Sequence, residues 1–251
     1  MRTGTSTSRA LPVENRHDLG GGVFVFVTKE HRFGTDSFLL SAFASPKPGA
    51  LACDLCGGCG IVAALWFRRP DAAPRRAVTV EIQPEAAALA ERCTEESGLT
   101  GRLESLCADV RSLPLRRGEY DVVSCNPPYY AAGHGIPSSG DAALTARHET
   151  LCTLRDVCRT GAGLLRFGGR LCLCQRPERL PDVLEAMRES GAEPKRMRFV
   201  QQRPDSAPWL VLVEGRRGSR PFLRVEPPLF MEDETGSPSA ALRQVYEGGA
   251  L

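Results

Sequence analysis

The sequence predicts an α/β fold, with a mostly parallel β-sheet and helices on both of its faces. Short apolar segments alternate with segments of helical periodicity along most of the 251 residues. The last two apolar segments, 196–201 and 209–214, have no helix between them, so they should pair antiparallel. Hydrophobic residues make up 42% of the chain and charged residues 25%, which excludes a largely disordered, collagen-like or coiled-coil protein.

The predicted elements follow one another at a regular spacing. The expected strands are residues 51–55, 77–82, 102–108, 119–125 and 170–175, ahead of the antiparallel pair. The expected helices are residues 35–43, 60–68, 84–97, 148–166, 181–190 and 240–246. Pro84 in the first turn and Gly98 just past the last turn mark the ends of the third helix. Alternating Val and Phe in residues 20–28 predict a small hairpin ahead of the first helix.

We expect the chain to divide into three parts. Residues 1–45 are expected to form a cap of hairpin and helix, residues 46–225 the main domain, and residues 226–251 a poorly packed tail. No apolar segment is long enough to cross a membrane, and the first twenty residues lack the apolar core of a secretory signal. We therefore expect a cytoplasmic protein with reduced cysteines, and a monomer, although the sequence does not fix the oligomeric state.

The positive charge is concentrated in the second half of the chain. The whole chain has a net charge of +2, whereas residues 151–225 carry 15 Lys and Arg against 8 Asp and Glu, a net charge of +7. This asymmetry favours a polyanionic partner such as RNA, with the arginine-rich segments 195–198 and 216–220 and Arg224 as candidate phosphate contacts. The alternative is a generic arginine-rich surface.

A glycine loop and two acidic residues indicate a nucleoside cofactor. Residues 54–60 follow the first buried strand, and their glycines suit a tight turn close to a ligand. Glu81 ends the second strand 21 residues after Gly60, a position that suits hydrogen bonds from a ribose diol. Asp109 ends the third strand, where it can accept from an adenine amino group. Asp54 would repel a pyrophosphate but can attract a cationic ligand, which favours S-adenosyl-L-methionine over NAD.

Three cysteines overlap this loop in a C-x-x-C-x-x-C spacing. A metal or iron–sulfur site would need a fourth ligand, and the next cysteine, Cys93, lies on a predicted helix. We therefore interpret Cys53, Cys56 and Cys59 as spacers and expect no metal, with a metalloprotein as the alternative.

The most specific motif is Asn-Pro-Pro-Tyr at residues 126–129, directly after the fourth strand. Two prolines stiffen the backbone, so the Asn126 side-chain oxygen and the Pro127 carbonyl can accept two N–H bonds from a planar amine. This arrangement directs the nitrogen lone pair towards a methyl donor, and Tyr129 offers a ring on which a base can stack. The alternative is a structural proline turn.

Together these residues resemble the class I S-adenosylmethionine-dependent amino-methyltransferases. More narrowly, the chain resembles the bacterial tRNA1(Val) adenine-N6 methyltransferases over roughly residues 16–230, including the stretches 33–40, 146–149 and 176–180. The resemblance implies a Rossmann-like, seven-stranded sheet with one antiparallel strand, S-adenosyl-L-methionine as cofactor, and transfer of its methyl group to the N6 amine of an adenine in tRNA. It implies a catalytic role for Asn126, Pro127, Pro128 and Tyr129. The implied cofactor-binding residues are Asp36, Asp54, Cys56, Gly58, Gly60, Glu81, Ile82, Asp109, Val110 and Asn126.

One position departs from the pattern of this family, and the tetrapeptide is compatible with more than one substrate. Cys56 replaces the first glycine of the loop, so we expect its backbone to keep a negative φ.

The tetrapeptide also occurs in protein glutamine methyltransferases, but only 53 residues precede Asp54, which is short for their recognition domain. The motifs are also compatible with a different RNA or DNA amino-methyltransferase and with a non-catalytic RNA-associated module.

Overall fold

In the computed structural model, which describes residues 15–127 and 152–251, the main sheet has seven strands of five or more residues and two of two residues. In chain order the strands are β1 (Asn15–Gly20), β2 (Val23–Val27), β3 (Leu51–Leu55), β4 (Arg76–Glu81), β5 (Leu103–Cys107), β6 (Tyr120–Cys125), β7 (Leu165–Gln175), β8 (Ala192–Gln201), β9 (Pro208–Arg217), β10 (Arg224–Val225) and β11 (Leu229–Phe230). Strands β1 and β2 form a separate hairpin, as predicted, but it begins at Asn15, ahead of the expected segment 20–28.

The strand order confirms the predicted fold class. Across the sheet the order is β5-β4-β3-β6-β7-β9-β8, and both β10 and β11 pair with β8. Strand β9 is antiparallel to β7 and to β8, as predicted, and the other pairs of the sheet are parallel. The fold is therefore a Rossmann-like α/β sheet with one antiparallel strand among the seven main strands.

Helices cover both faces of this sheet. They are α1 (Thr35–Ala44), α2 (Ile61–Leu65), α3 (Pro84–Glu96), α4 (Leu154–Leu164), α5 (Leu180–Glu189) and α6 (Ala240–Tyr246). Successive strand residues point to opposite faces, so Ala52 packs with α1, α2 and α3, whereas Cys53 packs with α4 and α5. Within the described residues, no helix combines the length and apolar character needed to span a membrane.

The expected helix over 148–166 is wrong at its C-terminal end. Thr153 and Asp156 form a capping box at the start of α4, which ends at Leu164, and β7 begins at the next residue. Gly168 and Gly169 lie inside β7, where the pairing register with β6 shifts, so these glycines mark an irregular strand and not a helix end. Residues 148–151 lie outside the described ranges. The expected helix over 60–68 is also too long, since α2 ends at Leu65.

The prediction of a poorly packed tail is wrong. Strand β11 extends the sheet, and α6 packs against α1. Leu229, Leu242 and Val245 are buried, and the Arg68 guanidinium donates to the Tyr246 carbonyl at 2.7 Å. The few apolar residues of this segment are separated by prolines and glycines, so no periodicity revealed that they cover the edge of the core.

Candidate active site

Polar residues gather at the carboxyl ends of β3, β4 and β6. The parallel register places Asp54 between Thr79 on one side and Ser124 on the other. Glu81 ends β4, and Asn126 follows β6 directly. Carboxyl ends of parallel strands share one edge, so the sheet brings together three of the predicted site residues where ligands bind in open α/β sheets.

The glycine loop is fixed by hydrogen bonds to β4. The Gly57 N–H donates to the Val80 carbonyl, and the Gly58 N–H donates to the Glu81 carboxylate, both at 2.9 Å. A Cβ on Gly57 would lie 2.0 Å from the Thr79 hydroxyl, so no larger residue fits at that position. Gly58 and Gly60 have φ angles of +55° and +81°, which glycine adopts without strain.

The expectation of a negative φ at Cys56 is wrong. Its φ is +55°, because the loop turns through the left-handed region at this position. The methyltransferases that the chain resembles have glycine there. A non-glycine residue in this region is strained, and such strain persists only where the surrounding structure holds it. A hydrogen bond with the Cys125 thiol and burial raise the pKa of the Cys56 thiol well above its usual value. Cys56 is therefore a neutral, packed side chain of the loop.

Asp54 is a buried carboxyl group with an incomplete set of partners. Its Oδ1 accepts a hydrogen bond from the Ser124 hydroxyl at 2.5 Å. Its Oδ2 and the Thr79 hydroxyl are both buried and have no hydrogen-bond partner within the described ranges. Burial raises the pKa of Asp54 to about 7, against the lowering effect of Ser124. This unsatisfied oxygen fits a cofactor that carries cationic groups, because a positive charge favours the ionised carboxylate.

The pKa of Asp54 predicts a pH-dependent stability for the cofactor-free protein. Its folded pKa lies above its ordinary value of 3.8, so the contribution is fully present below about pH 4 and is lost as pH rises through 7. The melting temperature should therefore fall between pH 5 and pH 7.5 more steeply in the wild type than in Asp54→Asn. Differential scanning calorimetry measures both profiles, and identical slopes would contradict the assignment.

Glu81 and the end of β5 complete this edge. The two Glu81 oxygens accept from Gly58 and from the Gln83 N–H at 2.9 Å, and the carboxylate keeps lone pairs for a diol. Asp109 follows β5, and its carboxylate accepts hydrogen bonds from the Arg111 guanidinium. These hydrogen bonds lower the pKa of Asp109. Ile82 is half-buried and Val110 is buried beside these acids. Their contacts with a cofactor stay predictions.

The Asn126 side chain is held at both ends of its amide. Its Nδ2 donates to the Asp36 carboxylate at 2.9 Å, and its Oδ1 accepts from the Cys174 thiol at 3.0 Å. Asp36 lies in the first turn of α1, and its other oxygen accepts from the Ser37 N–H. This arrangement fixes which way the amide oxygen faces, and a carbonyl oxygen can accept a second donor. Pro127 is buried, whereas Pro128 and Tyr129 lie outside the described residues.

The contact between Asp36 and Asn126 predicts that Asp36 acts through the amide. Asp36→Ala should lower kcat about tenfold or more, because loss of one hydrogen bond frees the amide to rotate. Asp36→Asn, which keeps an acceptor oxygen, should recover part of the rate. Steady-state kinetics with a separate cofactor titration makes the comparison. A loss of cofactor affinity with unchanged kcat would favour the cofactor-binding role that the sequence predicts for Asp36.

The first and last of the three loop cysteines pack on opposite faces of the sheet. Cys53 packs in the core on the α4 face of the sheet, whereas Cys59 packs in the core on the α3 face. A single metal ion therefore cannot reach both. Burial raises the pKa of Cys59 to about 12, which keeps this thiol protonated.

Three polar residues of this edge were missed by sequence reasoning. Ser124 and Thr79 flank Asp54, and Cys174 contacts Asn126. A polar residue within an apolar strand is a signal for Ser124 and Thr79, because a buried hydroxyl needs a partner. No local signal marks Cys174, which looks like an ordinary small core residue.

Comparisons with known proteins agree on one chemistry. A methyltransferase-domain family model matches residues 54–127, which run from the glycine loop to Pro127. A tRNA1(Val) (adenine(37)-N6)-methyltransferase of Parabacteroides distasonis is 26% identical over 184 residues, which are 73% of this chain and 76% of that protein. A 4-amino-L-phenylalanine/4-methylamino-L-phenylalanine methyltransferase of Streptomyces pristinaespiralis is 30% identical over 186 residues, 70% of this chain and 62% of that protein.

Solved structures show the same fold. The crystal structure of a predicted O-methyltransferase from Agrobacterium tumefaciens matches with a TM-score of 0.68 and 22% identity, covering 86% of this chain and 97% of that one. Other methyltransferases of this fold have been solved with S-adenosylmethionine or S-adenosylhomocysteine bound. The chain is therefore an S-adenosylmethionine-dependent methyltransferase whose sequence resembles the tRNA1(Val) (adenine(37)-N6)-methyltransferases.

Proposed function

We propose that this enzyme methylates the exocyclic N6 amine of an adenine in tRNA. The observation that carries the proposal is the Asn126 amide, held by Asp36 and Cys174 at the sheet edge beside Asp54. An amide oxygen next to a proline carbonyl suits an amine on a planar ring, because such an amine has two N–H groups and can donate one to each acceptor. The relatives named as tRNA adenine-N6 methyltransferases support the choice of base and of RNA.

Different residues of the site are proposed to bind the cofactor and to orient the substrate. When bound, S-adenosylmethionine supplies a methyl group on a sulfonium. Asp54 and Glu81 are proposed to hold the cofactor through its cationic end and its ribose diol, respectively, while the glycine loop admits it close to the backbone. Asn126 Oδ1 and the Pro127 carbonyl orient the amine, and Tyr129 stacks on the base. Positioning supplies most of the rate, and the methylated amine passes its proton to water without a general base.

A small aromatic amine is the second candidate substrate. The relative from Streptomyces pristinaespiralis is named for an amine attached to a phenyl ring, and its identity of 30% exceeds that of the tRNA enzyme from Parabacteroides distasonis. Both substrates present a planar amine whose lone pair must be turned towards the methyl group. Asn126 and Pro127 therefore fit either of them, and the acceptor has to be identified by experiment.

Methyl transfer from radiolabelled S-adenosylmethionine to three different acceptors distinguishes the candidate functions. The acceptors are total bacterial tRNA from a strain lacking this gene, total protein from the same strain, and 4-aminophenylalanine. We expect label in tRNA only. Label confined to the amino acid would move the function to small amines, and label in protein would make it a glutamine methyltransferase.

A further inference from the structure

A large groove lies at the opposite edge of the sheet from Asn126. It has a volume of about 950 Å³ and is lined at the amino ends of β3 and β6, by Ala50, Asp121 and Val122 among others. From Asp121 to Asn126 the chain runs along one strand, a distance of about 17 Å. The groove is therefore separate from the cofactor site.

The groove carries a strong excess of positive charge. Seven lysine and arginine side chains line it, against two carboxylates. Arg170 and Arg196 lie inside, largely buried, and both pair with Glu214. At the rim, Lys47 and Lys195 have no carboxylate partner among the described residues, and the nearest carboxylate to Arg216 is 3.7 Å away. The outer cations are therefore available to a polyanion.

A strongly exposed aromatic side chain lies at the same groove. Phe222 is 80% exposed. Phe222 lines the groove, and its φ of +135° is a conformation that side chains rarely adopt. Exposed aromatic rings among cations are the combination that binds single-stranded nucleic acid, with bases on the rings and phosphates on the cations.

We propose that this groove is a second RNA-binding surface, with Phe222 stacking on an unpaired base and Lys47, Lys195 and Arg216 contacting phosphates. A second copy of this chain is disfavoured, because a symmetric contact would place this excess of positive charge against itself. The choice of RNA rests on the proposed function, whereas the position of the groove does not. Because the two sites lie at opposite edges of the sheet, only a folded RNA with an extended arm can contact both.

Binding of fluorescent total tRNA, measured by anisotropy at several salt concentrations, tests the proposal. Lys47→Gln/Arg216→Gln should lower the slope of log affinity against log salt by about 1.5 to 2, because two phosphate contacts are lost. The control Arg92→Gln/Arg159→Gln removes two exposed arginines from the helices α3 and α4 and should leave the slope unchanged. Phe222→Gly should weaken binding about 5- to 100-fold without lowering the melting temperature, because glycine relaxes at this φ.

The results distinguish a failure of the groove proposal from a failure of the proposed function. The same titrations are repeated with Asn126→Ala, so that binding is read without turnover. If tRNA binds tightly in a way that depends on Phe222, but the wild type does not methylate it, the result would support the RNA-binding groove and reject tRNA as the substrate. Methylated tRNA together with unchanged binding by both groove variants would overturn the groove alone. A dimer that the groove variants dissociate in size-exclusion chromatography would also overturn it, in favour of a contact between copies.

Discussion

Asn126→Ala is expected to lower kcat by at least about 10²-fold, because the amine then loses one of the two acceptors that orient its lone pair. S-adenosylmethionine affinity should stay nearly unchanged, since Asp54, Glu81 and the glycine loop are left in place. The measurement is single-turnover methyl transfer together with a calorimetric cofactor titration. The control Gln202→Ala removes an exposed amide that bonds Glu232 at the end of β8, three strands across the sheet from β6, and it should keep full activity.

Two results would contradict this assignment. Retained turnover in Asn126→Ala would show that the amine is oriented by other groups. An equal loss of turnover and cofactor affinity would show that the amide serves the cofactor. Cys174→Ala tests the role of the thiol, because it removes the donor to Oδ1 and leaves the Asp36 contact intact.

Glu214→Ala is expected to cost about 3–5 kcal/mol of unfolding free energy. The Glu214 carboxylate is 6% exposed and pairs with Arg170 at 3.2 Å and with Arg196 at 3.1 Å, so its removal leaves two largely buried guanidinium groups without this partner. These arginines also donate to the Phe43 and Ala44 carbonyls at the end of α1. The same network therefore supports the helix that carries Asp36.

Urea denaturation of Glu214→Ala and of Glu96→Ala measures this effect against a matched control. Glu96 is half-exposed and lies 3.8 Å from Arg92, and exposed pairs of this kind contribute less than about 1 kcal/mol. A loss of similar size in both variants would show that burial of the Glu214 network does not stabilise the fold.

The edge that holds Asp54, Glu81 and Asn126 could be predicted from the sequence for a simple reason. Alternating apolar strands and helices force a parallel sheet, and a parallel sheet brings the residues after each strand to one side. The glycines that follow Asp54 indicate the position of the loop. The left-handed backbone at Cys56 could not be predicted, because a cysteine carries no local signal for a positive φ.

Contacts between segments that are far apart in the sequence could not be predicted either. Asp36 reaches Asn126 across 90 positions, and nothing in either segment specifies their partner. The glycines at 168 and 169 look like a helix end, but they lie in β7, where pairing with β6 decides the conformation. The packing of the tail could not be predicted either, because β11 is only two residues long, too short for any pattern.

The most direct test of the central claim is nucleoside analysis of tRNA by mass spectrometry. Unmodified tRNA is incubated with S-adenosylmethionine and either the wild type or Asn126→Ala, and then digested. We predict N6-methyladenosine with the wild type and none with the variant. A methyl group on another atom, or no methylated nucleoside while 4-aminophenylalanine is methylated, would contradict the claim that this enzyme acts on the adenine amine of tRNA.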